Sequence, residues 1–241
     1  RPCLGYSFRS GEEVTTLIVN AVPVTMYLAL GAFTLWMVVG ISAGIVAAKH
    51  QGKWQDRTIM GIALVGYSLP VFFVGLLLLI FAIVRWNVLP YPDYEPPFED
   101  PVAFFQTMLL PWVTLAILYS AYYARLTRSQ ILETMGEDYI RTARAKGLSE
   151  RVVFRKHAFR AGLTPIVTSA GLDLAGLLGG AIITEYIFSL PGLGRVAIGA
   201  VTDYDLPTIT AAVLVSAVFI IIANLVVDIL YVAIDPRVRI T

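Results

Sequence analysis

The stretch EDYIRTARAKGLSERVVFRKHAFRAGLTP, residues 137–165, is the longest polar run in a chain that is otherwise mostly apolar. Its basic side chains are Arg141, Arg144, Lys146, Arg151, Arg155, Lys156 and Arg160. Basic residues beside apolar segments are typical of the cytoplasmic loops of membrane proteins, and that preference alone is one explanation of the stretch. The regular chemistry described next predicts a folded segment rather than a simple loop.

A helix, a glycine and a second helix are predicted within this stretch. Residues 139–146 are rich in Ala and Arg, which favour helix formation. Gly147 can adopt the left-handed backbone conformation that ends a helix. Ser149 can then cap a second helix that runs to about Arg160, before the next apolar segment begins. The sequence therefore predicts a basic helix–Gly–helix unit between two membrane spans.

The composition places the chain among membrane proteins. Hydrophobic residues make up 57% of it and charged residues only 15%, whereas soluble domains carry about 25% charged residues. The single cysteine, Cys3, excludes an internal disulfide framework and a Cys-rich metal site. The basic residues flank apolar segments instead of forming a separate basic domain, so nucleic-acid binding is not indicated.

Neither catalysis nor ATP binding is indicated for this chain. His50 and His157 are far apart in the sequence, and each is more simply a polar residue of a cytoplasmic segment than a base or a metal ligand. The Gly-x-x-x-x-Gly-Lys-Ser/Thr pattern of a phosphate-binding loop is absent from the sequence. No catalytic, cofactor-binding or metal-binding residue is therefore predicted.

Segments without charge locate five membrane spans, each of about the 20 residues or more that a helical span needs. They are residues 25–48, 58–84, 101–124, 163–188 and 206–234. The predicted fold class is thus all-α, a polytopic bundle of transmembrane helices. Five spans place the two ends of this sequence on opposite sides of the membrane.

Asn20 and Pro23 are expected to separate an interfacial helix from the first span, which begins at about Thr25. The predicted organisation is an external or interfacial segment, residues 1–24, followed by a transmembrane domain, residues 25–241. Within this domain, residues 129–162 form the central loop.

The distribution of charge orients the spans. The segment 49–57, the region 125–160 and the tail after residue 234 alternate so that they share one side, and together they hold 14 of the 18 Lys and Arg. This asymmetry places them in the cytoplasm. The loop 87–102 is rich in Pro and acidic residues and is expected to face outward.

The central stretch resembles the cytoplasmic coupling loop of permease subunits of ABC importers. Arg141-Thr142-Ala143 stands where the general family pattern has Glu-Ala-Ala, Gly147 follows, and the closing Leu-Pro becomes Leu163-Thr164-Pro165. These departures are similar to the peptide and nickel branch of the family, in which Arg-Thr-Ala-Arg-Ala-Lys-Gly-Leu is the usual form. The match combines a motif with its required position between two spans.

The resemblance extends over nearly the whole chain. Leu4-Gly5-Tyr6-Ser7 resembles the end of the family's long external loop. Pro191-Gly192-Leu193-Gly194, Asp203-Tyr204 with Pro207, and the final Asp235-Pro236-Arg237 resemble later family segments. The family has six spans, so the resemblance implies a further N-terminal span before this sequence. Residues 197–201, too short to span, are expected to form a re-entrant or interfacial turn.

The resemblance implies a subunit in a bacterial plasma (inner) membrane that imports di- or oligopeptides delivered by an extracytoplasmic binding protein. Its implied partners are a second, homologous permease, two ATP-binding subunits that use ATP and Mg, and membrane lipid. Nickel, glutathione or another small solute remains an alternative substrate. An ion-coupled secondary transporter, which needs no ATPase, and a membrane scaffold remain alternatives of another class.

The resemblance also implies a coupling function for named residues. The predicted ATPase-coupling residues are Arg141, Thr142, Ala143, Arg144, Ala145, Lys146, Gly147, Val153, Phe154 and Arg155. Val152, Val153, Phe154 and Phe159 are expected to offer apolar anchors to a partner. Arg144, Lys146, Arg151 and Arg155 are expected to contact either acidic residues of the ATPase or anionic lipid.

Three acidic residues fall within predicted spans, where an ionisable group is costly and tends to face a protein interior or a cavity. They are Asp173, Glu185 and Asp228. Each can belong to a translocation path, or it can be a structural acid between helices. Both interpretations stay open for Asp173, whereas the positions of Glu185 and Asp228 near span ends favour the structural one.

Small residues on the fourth span predict close packing against a neighbouring span or a partner permease, because small side chains let helix backbones approach within lipid. The alternative is that they widen the path for a bulky substrate. They are Gly171, Ala175, Gly176, Gly179, Gly180 and Ala181.

Overall fold

The computed structural model describes residues 4–179 and 181–234, except for the side chains of residues 227, 228 and 230–234. In this part of the chain the regular structure is helical apart from one isolated bridge between Tyr6 and Glu13. The helices are α1 (Val14–Lys49), α2 (Trp54–Ser68), α3 (Val71–Leu79), α4 (Pro101–Gly136), α5 (Asp138–Ala145), α6 (Glu150–Val152), α7 (Phe159–Leu178), α8 (Ile182–Ile187), α9 (Leu193–Thr202) and α10 (Leu206–Ile234). Ile80–Arg85 and Val153–Ala158 are π-helical.

The all-α, multi-span prediction is confirmed. Among the described residues, 4 helical stretches are long and apolar enough to cross a membrane, namely Val14–Lys49, Pro101–Gly136, Glu150–Leu178 and Leu206–Val226. The number becomes 5 if α2 and α3, which flank Leu69 and Pro70, count as one broken span. These segments correspond to the spans that charge-free runs predict, although several of their boundaries differ.

Prolines account for part of the difference between the predicted and the observed boundaries of the helices. The predicted break at Asn20 and Pro23 is wrong, because α1 continues through Pro23. Pro165 likewise lies inside α7, so the helix after Gly147 does not end near Arg160 but continues into the span. A proline removes one backbone hydrogen bond, whereas leaving the helix within lipid would expose many more backbone groups.

Pro70, in contrast, does mark a break between two helices. It follows the end of α2 and lies immediately before the first residue of α3, with φ −62°. This backbone angle suits the start of a helix, and the missing N–H of proline is not needed there. The span predicted over residues 58–84 is therefore two separate helices.

The fourth predicted span, residues 163–188, also differs from the structure. The helical stretch that overlaps it begins at Glu150 and ends at Leu178, and Glu185 belongs to the separate short helix α8. Residues 197–201, predicted to form a re-entrant or interfacial turn, lie within the ten-residue helix α9. Such a helix is too short to cross a bilayer, which needs about 20 residues.

The chain divides into two compact units. The first contains the chain up to Thr34, together with Leu69–Ala116 and Asp173–Asn224. Its core includes a cluster in which Val14 and Ile18 of α1 pack with Leu193, Ala211 and Ala212. The second contains Leu35–Ser68, Ile117–Leu172 and the described residues from Leu225 to Ile234.

Close helix packing defines the second unit. Gly40 and Gly44 are four residues apart and share one face of α1. A Cβ atom at Gly40 would lie 2.7 Å from Cβ of Tyr123. One at Gly44 would lie 2.5 Å from Cβ of Thr127 and 2.7 Å from the carbonyl oxygen of Ala124. Two glycines thus let α1 and α4 approach at backbone distance, as is common between helices in lipid.

Gly44→Val is expected to destabilise the protein by about 1–3 kcal/mol, because overpacking a close contact forces backbone shifts. The contact at Gly44 includes backbone as well as side-chain atoms, so little relief is available. The thermal unfolding midpoint of the purified protein in detergent measures the effect. Gly61→Val is the matched control, since nothing lies within 4 Å of a Cβ atom at Gly61. Equal midpoints for the two variants would contradict the close contact.

Candidate functional site

The turn at Gly147 ends α5 as predicted. Gly147 has φ +80°, in the left-handed region that glycine adopts without strain. Its N–H donates to the carbonyl of Arg144 at 2.9 Å, and the N–H of Leu148 donates to the carbonyl of Ala143 at 3.4 Å. This pair of hydrogen bonds is the Schellman motif, which satisfies carbonyl groups at the end of a helix. The direction in which the chain leaves α5 is therefore set locally.

The residues around this turn form a hairpin with a core of its own. We call residues 138–159 the coupling hairpin, after the loop of ABC-importer permeases that this stretch resembles. Ile140 and Ala143 of α5 pack with Val153 and Ala158, and Met135 packs against this cluster. Val153 is fully buried there. Its predicted contribution to an apolar anchor face for a partner is therefore not supported, since it holds the two arms of the hairpin together.

Other apolar side chains of the coupling hairpin are exposed. Tyr139 is 44%, Leu148 40% and Val152 39% exposed. Of these, only Val152 is in the predicted anchor face. Tyr139 and Leu148 were missed because they flank the apolar periodicity of the hairpin instead of taking part in it. Leu148 directly follows the Gly147 turn, whereas Tyr139 lies at the other end of α5.

Ion pairs brace the hairpin. Nε and Nη2 of Arg144 donate to the two carboxylate oxygens of Glu150 at 2.6 and 3.2 Å. This contact spans the Gly147 turn, so Arg144 has a partner within the hairpin. Arg141 pairs with Asp138 at 3.3 Å on the exposed face of α5. Ser149 lies at the start of α6 but makes no capping hydrogen bond with its side chain, contrary to the prediction.

Two contacts involve residues next to the hairpin, one at the end of α1 and one between α2 and α4. Nζ of Lys49, the last residue of α1, lies 4.8 Å from the ring centroid of Phe154. Nearby, Arg128 of α4 donates to both carboxylate oxygens of the buried Asp56 at 2.6 and 2.8 Å. The N–H of Gly52 donates to the same carboxylate at 2.9 Å. Asp56 is not among the predicted site residues, because its only signal in the sequence is that of a lone acid among basic residues.

The predicted intramembrane acids occupy different surroundings. Asp173 is half-buried on α7. The side chain of Asp228 lies outside the part of the chain that is described. Glu185 is fully buried, and its carboxylate accepts hydrogen bonds from Oγ1 of Thr25 at 2.7 Å and from the N–H of Arg195 at 3.0 Å.

Thr25 completes this arrangement around Glu185. Its Oγ1 accepts a hydrogen bond from the N–H of Leu193 at 2.8 Å. Thr25 and Glu185 together therefore satisfy N–H groups at the start of α9, which have no partner within their own helix. These hydrogen bonds join Glu185 of α8 to α1 and α9, which is the position expected of a structural acid.

A second polar contact joins two motifs that resemble the family. The carboxylate of Asp205 accepts hydrogen bonds from Oγ of Ser7, the N–H of Phe8 and Oγ1 of Thr208. Burial raises the pKa of this carboxyl group, but these hydrogen bonds outweigh burial and hold the pKa below its usual value. Arg9 pairs with Asp203 beside it. The loop before α10 is thereby fastened to the segment before α1.

No group of three or more His, Cys, Asp or Glu that could hold a metal ion occurs among the described residues. The features that stand out are the apolar spans, the coupling hairpin and the polar contacts that fasten the predicted outer segments. They define a membrane transport subunit with several spans.

The chain belongs to a known family of such subunits. It matches the family model described as "Binding-protein-dependent transport system inner membrane component" over residues 40–240. The chain is thus a multi-span inner-membrane component of a transport system and not a catalytic enzyme. The resemblance inferred from the sequence motifs is confirmed.

Proteins named as peptide permeases are similar to nearly the whole chain. A putative peptide transport system permease protein of Brucella abortus (strain 2308) is 41% identical over 236 residues, which cover 98% of this chain and 75% of the relative. The dipeptide transport system permease protein DppB of Escherichia coli (strain K12) is 40% identical over 262 residues, covering 98% of this chain and 76% of DppB.

Solved structures share the fold. A chain of the MetNI methionine ABC transporter, solved in inward-facing conformations, superposes with a TM-score of 0.70 at 18% identity and covers 92% of this chain and 97% of that chain. A chain of an amino acid ABC transporter solved with histidines gives a TM-score of 0.69 at 17% identity, with coverage of 90% and 94%.

Proposed function

We propose that this chain is a permease subunit of an ATP-driven importer of di- or oligopeptides, and that an extracytoplasmic binding protein delivers the substrate. The relatives that are 40% and 41% identical carry names of peptide and dipeptide permeases. The proposed assembly contains a second, similar permease and two ATP-binding subunits that use ATP and Mg.

The observation that carries the ATPase contact is the construction of the coupling hairpin. Its shape is set by the Gly147 turn, by the buried cluster around Val153 and by the Arg144–Glu150 pair. A surface that is rigid before contact loses little conformational entropy on binding. The exposed Tyr139 and Leu148 supply the kind of apolar and aromatic side chains that anchor protein interfaces.

Rigidity also suits the transmission of force. When ATP binding closes the partner ATPases, a hairpin with its own core moves as one body instead of deforming. The hairpin continues through Val153–Ala158 directly into α7, so its displacement is transmitted to a membrane span. ATP can shift the equilibrium between inward- and outward-open states only through its different affinity for the two.

The predicted coupling residues fall into three groups by their position in the hairpin. Ala143 and Val153 hold the hairpin together, and Arg144 braces its turn. Arg141, Thr142, Ala145 and Lys146 lie on α5 or directly after it with exposed side chains, where a partner can reach them. Phe154 and Arg155 belong to the π-helical segment that leads into the span.

Reconstitution tests the proposal. The full-length permease is purified with its co-purifying subunits, placed in liposomes and supplied with its binding protein, labelled dipeptide and ATP. We expect dipeptide uptake that requires both ATP and the binding protein. Uptake of nickel or glutathione instead would replace the substrate class. Uptake driven by a proton or sodium gradient without ATP would overturn the ATP-driven mechanism.

A further inference from the structure

A cleft of about 1080 Å³ lies in the second unit, between the ends of α1 and α4 and the coupling hairpin. Its base is apolar and includes Ile45 of α1, Leu132 of α4 and Phe159 of α7. Its rim is basic and includes Lys49, Arg151 and Arg155. A cleft with an apolar base and a cationic rim suits a ligand that has both an apolar part and an anionic part.

The order of these residues along the chain orients the cleft relative to the membrane. Ile45 precedes Lys49 by one helical turn, about 6 Å along the axis of α1. Lys49 is the last residue of this span, so Ile45 lies deeper. Phe159 begins α7, whereas Arg151 and Arg155 precede it on the cytoplasmic side. On both elements, the apolar residue is nearer the bilayer and the cation is nearer the cytoplasm.

The charge at the rim is not compensated within the described part of the chain. Arg144 and Glu150 also line the cleft, but they pair with each other. No carboxylate forms an ion pair with Lys49, Arg151 or Arg155 among the described residues. The contact between Lys49 and the Phe154 ring keeps its ammonium at the rim without neutralising it.

We propose that this cleft binds an anionic phospholipid. Its phosphate would contact Arg151, Arg155 and Lys49, and the first part of its acyl chains would cover Ile45, Leu132 and Phe159. Basic pockets between membrane helices on the cytoplasmic side suit anionic lipid headgroups. An acidic protein loop would satisfy the rim but leave the apolar base uncovered. A phospholipid covers both and stays continuous with the bilayer.

Such a lipid has a specific position with respect to the proposed function. It would lie between α1 and the π-helical segment of the coupling hairpin, in contact with Arg151 and Arg155. The proposal assigns Arg151 and Arg155 to lipid and leaves the Gly147 turn and Lys146 to the ATPase. The two contacts can therefore be tested separately.

Native mass spectrometry of the intact transporter, titrated with phosphatidylglycerol or with phosphatidylcholine of the same acyl chains, tests the site. We expect preferential retention of phosphatidylglycerol. The double variant Arg151→Gln/Arg155→Gln is expected to weaken this retention by about tenfold, because each cation near a membrane surface contributes substantially to anionic lipid binding. Lys156→Gln/Arg160→Gln is the matched control, since these exposed cations of the same region do not line the cleft.

Leu132→Trp supplies a test that leaves the charge unchanged. It fills the apolar base and is expected to reduce phosphatidylglycerol retention as well. Lys49→Gln removes a rim cation on another helix and is expected to reduce phosphatidylglycerol retention too. If the double arginine variant does not fold, Leu132→Trp and Lys49→Gln test the proposal in its place. Equal loss in both double variants would reduce the site to diffuse charge attraction and overturn the proposal. Retained lipid with loss of the co-purifying ATPase would assign the rim to the ATPase and overturn it too.

Discussion

Glu185→Ala is expected to lower the free energy of unfolding by about 3 kcal/mol, because it leaves two hydrogen-bond donors without their acceptor at a site closed to water. The donors are Oγ1 of Thr25 and the N–H of Arg195. The loss also weakens the start of α9, since Thr25 accepts the Leu193 N–H and loses its own partner. The thermal unfolding midpoint in detergent measures the effect. Glu185→Gln, which keeps the shape and one acceptor, is expected to cost less.

A pair of glycine variants controls for the location of the carboxylate. A Cβ atom at Gly192 would lie 2.4 Å from Cδ of Glu185, whereas nothing lies within 4 Å of one at Gly199. Gly192 has φ −89°, so an alanine there meets only the steric conflict. Gly192→Ala is expected to destabilise the protein, and Gly199→Ala to be neutral or stabilising, since alanine favours helix. Equal midpoints for Glu185→Ala and the unchanged protein would show that the carboxylate has no such role.

The sequence predicted the spans and the Gly147 turn because both are local signals. A run without charge is recognisable from a short window, and a membrane helix follows from the need to satisfy every backbone group within lipid. The Schellman turn depends on a single glycine that directly follows a good helix former. Neither inference needs a distant residue. The coupling hairpin could therefore be recognised before its contacts were known.

The contacts that fasten the structure could not be predicted in the same way. Thr25 and Glu185 are 160 residues apart, and Ser7 and Asp205 are 198 residues apart. No local pattern pairs such residues. Composition identified small residues on the fourth span, but it did not single out Gly40 and Gly44, although the close contact with α4 lies there. Small residues permit close packing, and only the path of the neighbouring helix decides where it occurs.

The errors at proline have a common physical origin. A proline in a short window looks like the end of a helix, and Pro70 does mark such an end. Pro23 and Pro165 do not, because the helical stretches that contain them continue for several residues on both sides of the proline. The surrounding backbone hydrogen bonds outweigh the one that is lost. Chain length on each side of a proline is thus more informative than the proline itself.

Gly147→Val is expected to reduce ATP-dependent uptake by about tenfold or more while the protein remains in the membrane at its normal level. At φ +80° a β-branched residue is strained by about 1–3 kcal/mol, and every 1.4 kcal/mol changes an equilibrium tenfold. Nothing lies within 4 Å of a Cβ atom at this position, so the strain is confined to the backbone. Leaving the left-handed conformation relieves it and redirects the chain after α5. The surface around the turn would then no longer match the ATPase.

Two variants make this expectation specific to the turn. Gly147→Asn keeps a residue that tolerates the left-handed conformation, and uptake should largely recover. Gly52→Val introduces the same strain at another open glycine on the predicted cytoplasmic side, with φ +76°, but outside the coupling hairpin. Uptake and ATPase activity are measured in reconstituted liposomes, together with the amount of ATPase that co-purifies. Normal uptake by Gly147→Val, or an equal loss with Gly52→Val, would show that the Gly147 turn is not the docking element. Retained ATPase activity with lost uptake would place the defect in transmission through the hairpin instead of in docking.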